Sequence, residues 1–508
     1  MSNEDKLNYR RRGVLKSAGA LGAVGVLGSR VAQGQPTDKQ LPNTYSQHGT
    51  DGDSFRDPAY FRHIADLSAA RRLVRQYERS GKRSALLTPH LREQLEKSNQ
   101  ERVDITVTTT GRRARYTSNG SFGRTLHGWQ PAPGEVEQLR SYGTVRYVPE
   151  VASTKVGLSS VQVDDVAEIA DLGFVLEIGH DPEVRLRETN SQLSTTATPP
   201  SADDLRSSSH SDFDGVSHSL DSSLKIGCFN LGYAYGDGGH ATEWSKNWAE
   251  SQGIDTGLAK DFTGAGSWKS SDATHGTNVM DATAFMLDGK TTSSSHHVPL
   301  RVYDTSEDIK ASEWRNAIEY AVKNDIPASV TALETAANEP YCTSTLCEEL
   351  DSYTSAGYAM TVATGNDDES SEVCHPATSY HAIGVGGYFG SCSGGYSYDQ
   401  NSNYGSIDYY ADNYDTAYCK WCHTDWGDYG FQPNVYSAYE YDTDASVTIA
   451  GTSYASPIVG AGTAIHASAN GPISYYDHVR KYHEMSNYTV CPSESSQQGD
   501  VLNVPNLV

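Results

Sequence analysis

The sequence of 508 residues is poor in basic side chains and in long apolar runs. Lys and Arg together number 40 against 64 Asp and Glu, and the formal net charge is −24. A surface of this sign repels phosphate backbones and anionic lipids, so we expect no nucleic-acid partner. Beyond the N-terminus no run has the apolar length of a bilayer span, so we also expect no stable membrane insertion.

The same composition carries a second implication, about the solvent. Arg outnumbers Lys, and Ser, Thr and Gly are abundant. A chain of this kind is typical of a halophilic protein, which must stay hydrated in concentrated salt. An ordinary acidic exported protein is the alternative that composition leaves open.

Cysteine is absent from the first 227 residues, and all eight cysteines lie between Cys228 and Cys491. An even number confined to one segment predicts disulfide bonds formed in an oxidising compartment, with a pairing that the sequence does not reveal. Cys419-Lys-Trp-Cys422 has the spacing of half a zinc site or of a redox pair. No second CxxC accompanies it, so we name no metal ligands.

The N-terminus has the parts of an export signal. Arg10-Arg11-Arg12 precedes a short apolar stretch from Ser17 to Gly28, and small residues follow near Ala32. We therefore predict a signal peptide over residues 1–34. Its segment Arg11–Lys16 resembles the twin-arginine export signal, which implies an extracellular protein that folds before export.

Three further segments precede the second half of the chain. Residues 35–102 form an N-terminal extension that is polar at first and then partly helical, because apolar residues recur at helical spacing. Residues 103–180 predict the element order βαββαβ of a small ferredoxin-like α+β domain. Residues 181–220 are rich in Ser, Thr and Pro, so we expect an exposed linker that buries no core and contains a processing site.

Residues 221–508 alternate apolar strands with helices. This pattern predicts an α/β domain whose mostly parallel sheet is covered on both faces. In such sheets the working residues lie on loops beyond the strand ends, and Asn230, His275, Asn366 and Ser453 all occupy such loops. Ser453 opens a small-residue helix, where free N–H groups favour developing negative charge; simple helix capping is the alternative.

Four short motifs in this half resemble those of the subtilisin family of serine endopeptidases. His275-Gly276-Thr277 matches the histidine motif, and the strand ending at Asn366 matches the one that carries the oxyanion-hole asparagine. His375-Pro376-Ala377 follows it as in the family, and Gly451-Thr452-Ser453 matches the serine motif. The resemblance covers about 285 residues in order, and it implies a subtilisin-like three-layer sandwich.

The resemblance also implies a chemistry. Ser453 would be the nucleophile, His275 the general base, and the Asn366 amide with the Ser453 N–H the oxyanion hole. Acyl transfer needs no cofactor, although the family often carries structural Ca²⁺. The expected partners are peptide or protein substrates and the chain's own residues 103–180, which would act as an inhibitory propeptide. We expect a secreted monomer that is made as a zymogen.

Two positions depart from the family's pattern. The third triad member is usually an aspartate, and this chain has Asn230 in its place. The strand that lines the substrate cleft ends in Glu334 instead of glycine. Asp237 or Asp272 could supply the missing carboxylate from a rearranged loop. Otherwise the chain is a slow protease, or a degenerate scaffold that binds peptides without cutting them.

Overall fold

A computed structural model describes residues 87–185 and 200–335 with gaps, and several separate segments beyond residue 350. The gaps are 88, 98–99, 118–124, 151–153, 208–211, 235–252, 271–272, 292–295, 305–308 and 332–333, and the longest later segments are 358–366, 382–392 and 448–470. The predicted signal peptide and most of the extension lie outside these residues, as do Asp237, Asp272 and the CxxC motif. Among the described helices, none is both long and apolar enough to cross a membrane.

The N-terminal unit is a four-stranded antiparallel sheet with helices on it. Its elements in chain order are α1 (Pro89–Lys97), β1 (Arg102–Thr109), β2 (Arg112–Thr117), β3 (Thr125–Gln130), α2 (Pro133–Leu139), β4 (Thr144–Tyr147), β5 (Lys155–Gln162), α3 (Asp165–Asp171) and β6 (Val175–His180). The sheet order is β4-β5-β1-β6. This confirms the ferredoxin-like order, because alternating apolar residues such as Ile105 and Val107 form one buried face.

The sequence analysis missed one feature of this unit, the β2–β3 hairpin, which pairs Arg112 with Gln130 through Thr117 with Thr125. Asn119-Gly120, between the two strands in the sequence, is a recognised hairpin signal and could have revealed it. The extension joins the same unit, since Leu91 of α1 is fully buried in its core.

The C-terminal unit is built on a ten-stranded, mostly parallel sheet. Its elements are β7 (Val184–Arg185), α4 (Ala202–Ser207), β8 (Ile226–Asn230), β9 (Lys260–Asp261), α5 (Thr274–Met286), β10 (His297–Arg301), α6 (Ala311–Lys323), β11 (Ala328–Thr331), β12 (Glu334–Thr335), β13 (Ala359–Ala363), β14 (Ile383–Cys392), β15 (Gly395–Tyr398), β16 (Gly405–Ser406), β17 (Phe431–Gln432), β18 (Val435–Ala438), β19 (Glu440–Asp442), β20 (Thr448–Ala450), α7 (Thr452–Asn470), β21 (Thr489–Cys491), β22 (Asp500–Val501) and a final 3₁₀ turn (Val504–Leu507). The sheet order is β15-β21-β22-β18-β14-β13-β11-β8-β10-β9.

Helices cover both faces of this sheet, so the predicted three-layer α/β sandwich is confirmed. One apolar cluster joins α5 and α7 to the first face, through residues such as Val330 of β11. A second cluster joins α6 to the opposite face, through Phe229 of β8 and Met360 of β13. The central parallel strands β8, β10, β11 and β13 are therefore buried on both sides, which explains their mostly apolar sequences.

The expectation that residues 181–220 bury no core is wrong for their described second half. Ala202 and Leu205 of α4 are buried, and so are Phe213, Val216 and Leu220. All five belong to the cluster beneath α5 and α7. The Ser- and Asp-rich composition hid these apolar residues because they are spaced widely among polar ones.

The N-terminal unit lies against helix α6, and the chain that leaves it is hydrogen-bonded to the segment where this helix begins. The backbone N–H of Ala311 donates to Pro182 O, and that of Val184 donates to Ile309 O, both at 2.8 Å. Strand β7 then pairs antiparallel with β12, in the register Glu334 to Arg185. Glu334, the residue that departs from the family's expected pattern, is thus paired with an earlier segment of the same chain.

Close packing of α7 on the sheet yields a first testable prediction, at Gly460. A Cβ at this position would lie 2.3 Å from Val330 Cγ2 and 3.1 Å from Thr361 Oγ1. We expect Gly460→Ala to lower the free energy of unfolding by about 1–3 kcal/mol, the usual cost of overpacking a core. Urea unfolding in concentrated salt measures this change.

Gly462, two residues further along the same helix, is the matched control. A Cβ there would lie 3.1 Å from Leu507 Cδ1 and 3.2 Å from Leu502 Cδ1, which are side-chain ends that can shift. The gain in helix propensity, about 1 kcal/mol, offsets that adjustment. Equal losses for Gly460→Ala and Gly462→Ala would contradict the packing argument.

Candidate active site

Asn230 and His275 meet where strand β8 ends and helix α5 begins. Asn230 is fully buried, and its Oδ1 lies 3.1 Å from His275 Nδ1. The same oxygen accepts a hydrogen bond from the backbone N–H of Leu231 at 2.9 Å. Helix α5 can approach this closely only because residue 276 is glycine: a Cβ there would lie 2.4 Å from Gly232 O.

The other ring nitrogen of His275 is shielded from solvent. Its Nε2 is buried and has no hydrogen-bond partner among the residues that the structure describes. Burial lowers the pKa of His275 to about 4, and no charge on the residues that the structure describes opposes this shift. The imidazole is therefore neutral at physiological pH and can accept a proton at whichever nitrogen is unprotonated.

Ser453 lies in the first turn of helix α7. The turn is opened by Gly451, whose φ of +137° is a conformation that favours glycine, and Gly451 O accepts from the N–H groups of Tyr454 and Ala455. Ser453 is buried, at 3% exposure. The adjacent Tyr454 ring lies 5.6 Å from the His275 ring, centroid to centroid, so the serine and histidine loops are neighbours.

Asn366 is bound directly to the residue that precedes Ser453. Its Oδ1 accepts from the Thr452 backbone N–H at 2.8 Å and from Thr452 Oγ1 at 3.0 Å. The Thr452 hydroxyl also contacts the backbone N–H of Gly365 at 3.1 Å. With its oxygen occupied, Asn366 has its NH₂ group left for a further contact, as a donor.

The structure thus brings together all four residues that the sequence analysis named. Two groups in the same place were missed, the Leu231 N–H and Tyr454. The first is a main-chain group and leaves no sequence signal. Tyr454 directly follows the serine, and its burial raises the pKa of its hydroxyl, which hydrogen-bonds the side chain of Asn278 on α5. An aromatic residue so close to the predicted nucleophile could have been noticed.

The described residues bear on two further expectations, which concern the disulfide bonds and the metal ligands. Cys228 of β8 is a buried free thiol whose pKa burial raises to about 12, so this residue takes no part in the expected disulfide bonds. The side chains of the other seven lie outside the described residues. Within the described part of the chain, no group of three or more His, Cys, Asp or Glu could hold a metal ion.

The fold is that of the subtilisin-like α/β sandwich. A comparison with solved structures finds fervidolysin from Fervidobacterium pennivorans, a keratinolytic enzyme related to subtilisin, at a TM-score of 0.52 and 13% sequence identity. The match covers 80% of this chain and 60% of fervidolysin, so the chain spans about three-fifths of that protein's length. At this identity the likeness shows the fold alone. No protein-family model matches the sequence. No curated protein matches it either.

Proposed function

We propose that the chain is a serine endopeptidase that hydrolyses peptide bonds through an acyl-enzyme. The observation that carries this proposal is the contact of His275 Nδ1 with Asn230 Oδ1, beside the helix turn that holds Ser453. Asn366, held by Thr452, places an amide donor next to the same turn. A base, a nucleophile and an oxyanion donor are the parts that acyl transfer requires.

The mechanism follows from these positions. Ser453 Oγ attacks the scissile carbonyl carbon while His275 Nε2 takes the hydroxyl proton. The Asn366 NH₂ and the Ser453 backbone N–H stabilise the oxyanion, each such donor being worth about 3–4 kcal/mol. His275 then protonates the leaving amine. Water next attacks the acyl-enzyme while His275 takes its proton, and His275 finally returns a proton to Ser453 Oγ. Asn230 gives His275 a hydrogen bond but no charge, so we propose a slow enzyme.

We further propose that the enzyme is made as a precursor. The support is the pairing of β7 with β12, which occupies the segment at Glu334 that pairs with peptides in the family, and the contact of the N-terminal unit with α6. Residues 103–180 would then inhibit in cis, and the processing site would fall between residues 186 and 199, which follow β7. The proposal also includes export by the twin-arginine route, an extracellular location and a halophilic habit. The acidic composition permits structural Ca²⁺ as well.

The second candidate is a degenerate scaffold that binds peptides without cutting them. It is favoured by the absence of a triad carboxylate at Asn230. One experiment separates the two: reaction of the purified full chain, in concentrated salt, with a fluorophosphonate, followed by mass spectrometry of the labelled peptide. A protease gives stoichiometric labelling at Ser453 that the Ser453→Ala variant loses. An unlabelled protein that still binds peptides would establish the scaffold instead.

The pH dependence of turnover follows from the environment of His275. Only the neutral imidazole can act as a base, and its pKa of about 4 lies well below the value of about 6.5 for a free histidine. We therefore expect kcat/KM to stay level down to about pH 4 and to fall only below it. Initial rates on a peptide substrate between pH 3.5 and 9 measure this.

The Asn230→Asp variant is the control for this profile. A carboxylate beside the ring favours the imidazolium, so the pKa of His275 rises and the acid limb moves to higher pH. Circular dichroism at each pH separates loss of activity from loss of structure. A wild-type limb near pH 6.5 would contradict the assignment of His275 as a base that burial keeps neutral and that has no charged partner among the described residues.

A further inference from the structure

The orientation of the Asn230 side-chain amide decides which ring nitrogen of His275 carries the proton. An amide presents an oxygen that accepts on one side and an NH₂ that donates on the other. If the oxygen faces the ring, His275 is protonated on Nδ1 and its Nε2 is a free base. If the NH₂ faces the ring, Nδ1 must accept, the proton moves to Nε2, and the ring cannot take a proton from Ser453.

A main-chain group fixes this choice. The backbone N–H of Leu231 can only donate, and it lies 2.9 Å from Asn230 Oδ1. The same oxygen is the atom that lies 3.1 Å from His275 Nδ1. One acceptor therefore serves two donors, the Leu231 N–H and the Nδ1–H of the imidazole.

The reversed orientation satisfies fewer groups. It would set the Asn230 NH₂ against the Leu231 N–H, two donors facing each other at a fully buried position. The Leu231 N–H and the Asn230 oxygen would both lose their partners. In the observed orientation one group is left without a partner in the described part of the chain, the Asn230 Nδ2. Burial makes each lost hydrogen bond costly, so the observed orientation is preferred.

We infer that the Leu231 N–H is a positioning group, which turns Asn230 into an acceptor and holds His275 in the tautomer with a proton on Nδ1. The inference rests on the proposed function for its catalytic meaning, although the tautomer itself is a property of the resting protein. In chymotrypsin-type enzymes an asparagine at this place lowers turnover about 10⁴-fold with the wrong tautomer. Here the tautomer is correct, so the deficit comes from the missing charge alone and is smaller.

The direct test is the tautomer of His275 in the full chain at pH 7.5. Histidine-selective ¹⁵N labelling and correlation spectra distinguish a protonated from an unprotonated ring nitrogen, and a His275→Gln sample identifies the signal among the 17 histidines. We expect a protonated Nδ1 and an unprotonated Nε2. A protonated Nε2 in the wild type overturns the inference.

Two variants sharpen the test. Asn230→Leu keeps a similar volume but offers no acceptor. The ¹⁵N signals of His275 should therefore no longer show the ring proton held on Nδ1 alone. Asn230→Asp keeps the acceptor, and should retain the Nδ1 proton while raising kcat/KM at pH 8 by at least tenfold but less than 10⁴-fold. A gain of 10⁴-fold or more means that the wild type holds the wrong tautomer, and the inference fails. If Nδ1 is protonated but fluorophosphonate never labels Ser453, the inference stands and the proposed protease function fails.

Discussion

Replacing Ser453 with alanine is expected to lower kcat by about 10⁶-fold in an Asn230→Asp background and by much less in the wild type. The reason is that a catalytic triad acts as a unit. In subtilisin, loss of the serine or the histidine costs about 2 × 10⁶ in kcat, and loss of the aspartate alone costs about 3 × 10⁴. An enzyme that already lacks the triad carboxylate has a lower kcat, so removal of the serine lowers kcat by a smaller factor.

The size of the wild-type effect depends on Asn230. If its hydrogen bond to His275 were worth nothing, Ser453→Ala would cost only the quotient of those two factors, on the order of 10². When His275 is held with its proton on Nδ1, Ser453 and His275 still act together. We therefore expect Ser453→Ala to lower the wild-type kcat by about 10³- to 10⁵-fold. Peptide turnover by the four members of the cycle gives the coupling between residues 230 and 453.

The control for this cycle is Ser468→Ala, at the far end of helix α7. Its hydroxyl accepts from the Asp221 backbone N–H at 2.7 Å and takes no part in the site. It should leave kcat unchanged in both backgrounds. Equal losses for Ser453→Ala in both backgrounds would show that Asn230 and Ser453 act independently, contrary to the proposed mechanism.

The sequence predicted the site better than it predicted the chain around it. Asn230, His275 and Ser453 could be placed because each lies at the end of a strand or in the first turn of a helix, with a glycine one or two residues away, and such positions have short, regular signatures. Residues 202–220 could not, because five apolar residues spaced among polar ones decide their burial while their average composition is polar. Composition describes a segment's mean, and packing depends on individual side chains.

The orientation of an amide is a still finer property. Both Asn230 and Asn366 have their oxygens held by the backbone N–H groups of Leu231 and Thr452. Those donors exist at every residue except proline, so no residue type indicates them. Only the fold, by turning the chain back on each side chain, determines which end of the amide faces the reacting atoms.

The second large effect is expected at Arg315, where the N-terminal unit meets helix α6. Arg315 and Asp181 are both fully buried, and their charged groups lie 3.8 Å apart. The guanidinium also lies 4.8 Å from the centroid of the Tyr147 ring, and Asp181 Oδ1 accepts from the Ser312 N–H at 3.1 Å. Arg315→Met would leave a buried carboxylate without its counter-charge, at a cost of about 3–5 kcal/mol.

Hydrogen exchange of the full chain measures this cost. We expect the free energy of opening for amides in β5, β6 and α6 to fall by that amount at pH 7.5. Lys323→Met is the matched control, because Lys323 pairs at 2.6 Å with a Glu150 side chain that is 60% exposed. Concentrated salt screens such a pair, so its loss should change the opening free energy by less than about 1 kcal/mol.

The pH dependence of the same interface has a definite sign. Burial raises the pKa of Asp181 to about 6, above its ordinary value of 3.8. The closed interface therefore binds a proton more tightly than the open one, and its stability is greatest below pH 4 and declines as pH rises through 6.

In Arg315→Met the carboxyl takes up a proton more readily still, so most of the loss seen at pH 7.5 should be recovered at pH 5. The double variant Asp181→Asn, Arg315→Met removes both charges and should lose little at either pH. If Arg315→Met alone opens the interface no more than Lys323→Met does, the apolar face of the sheet holds the N-terminal unit in place and the buried pair does not.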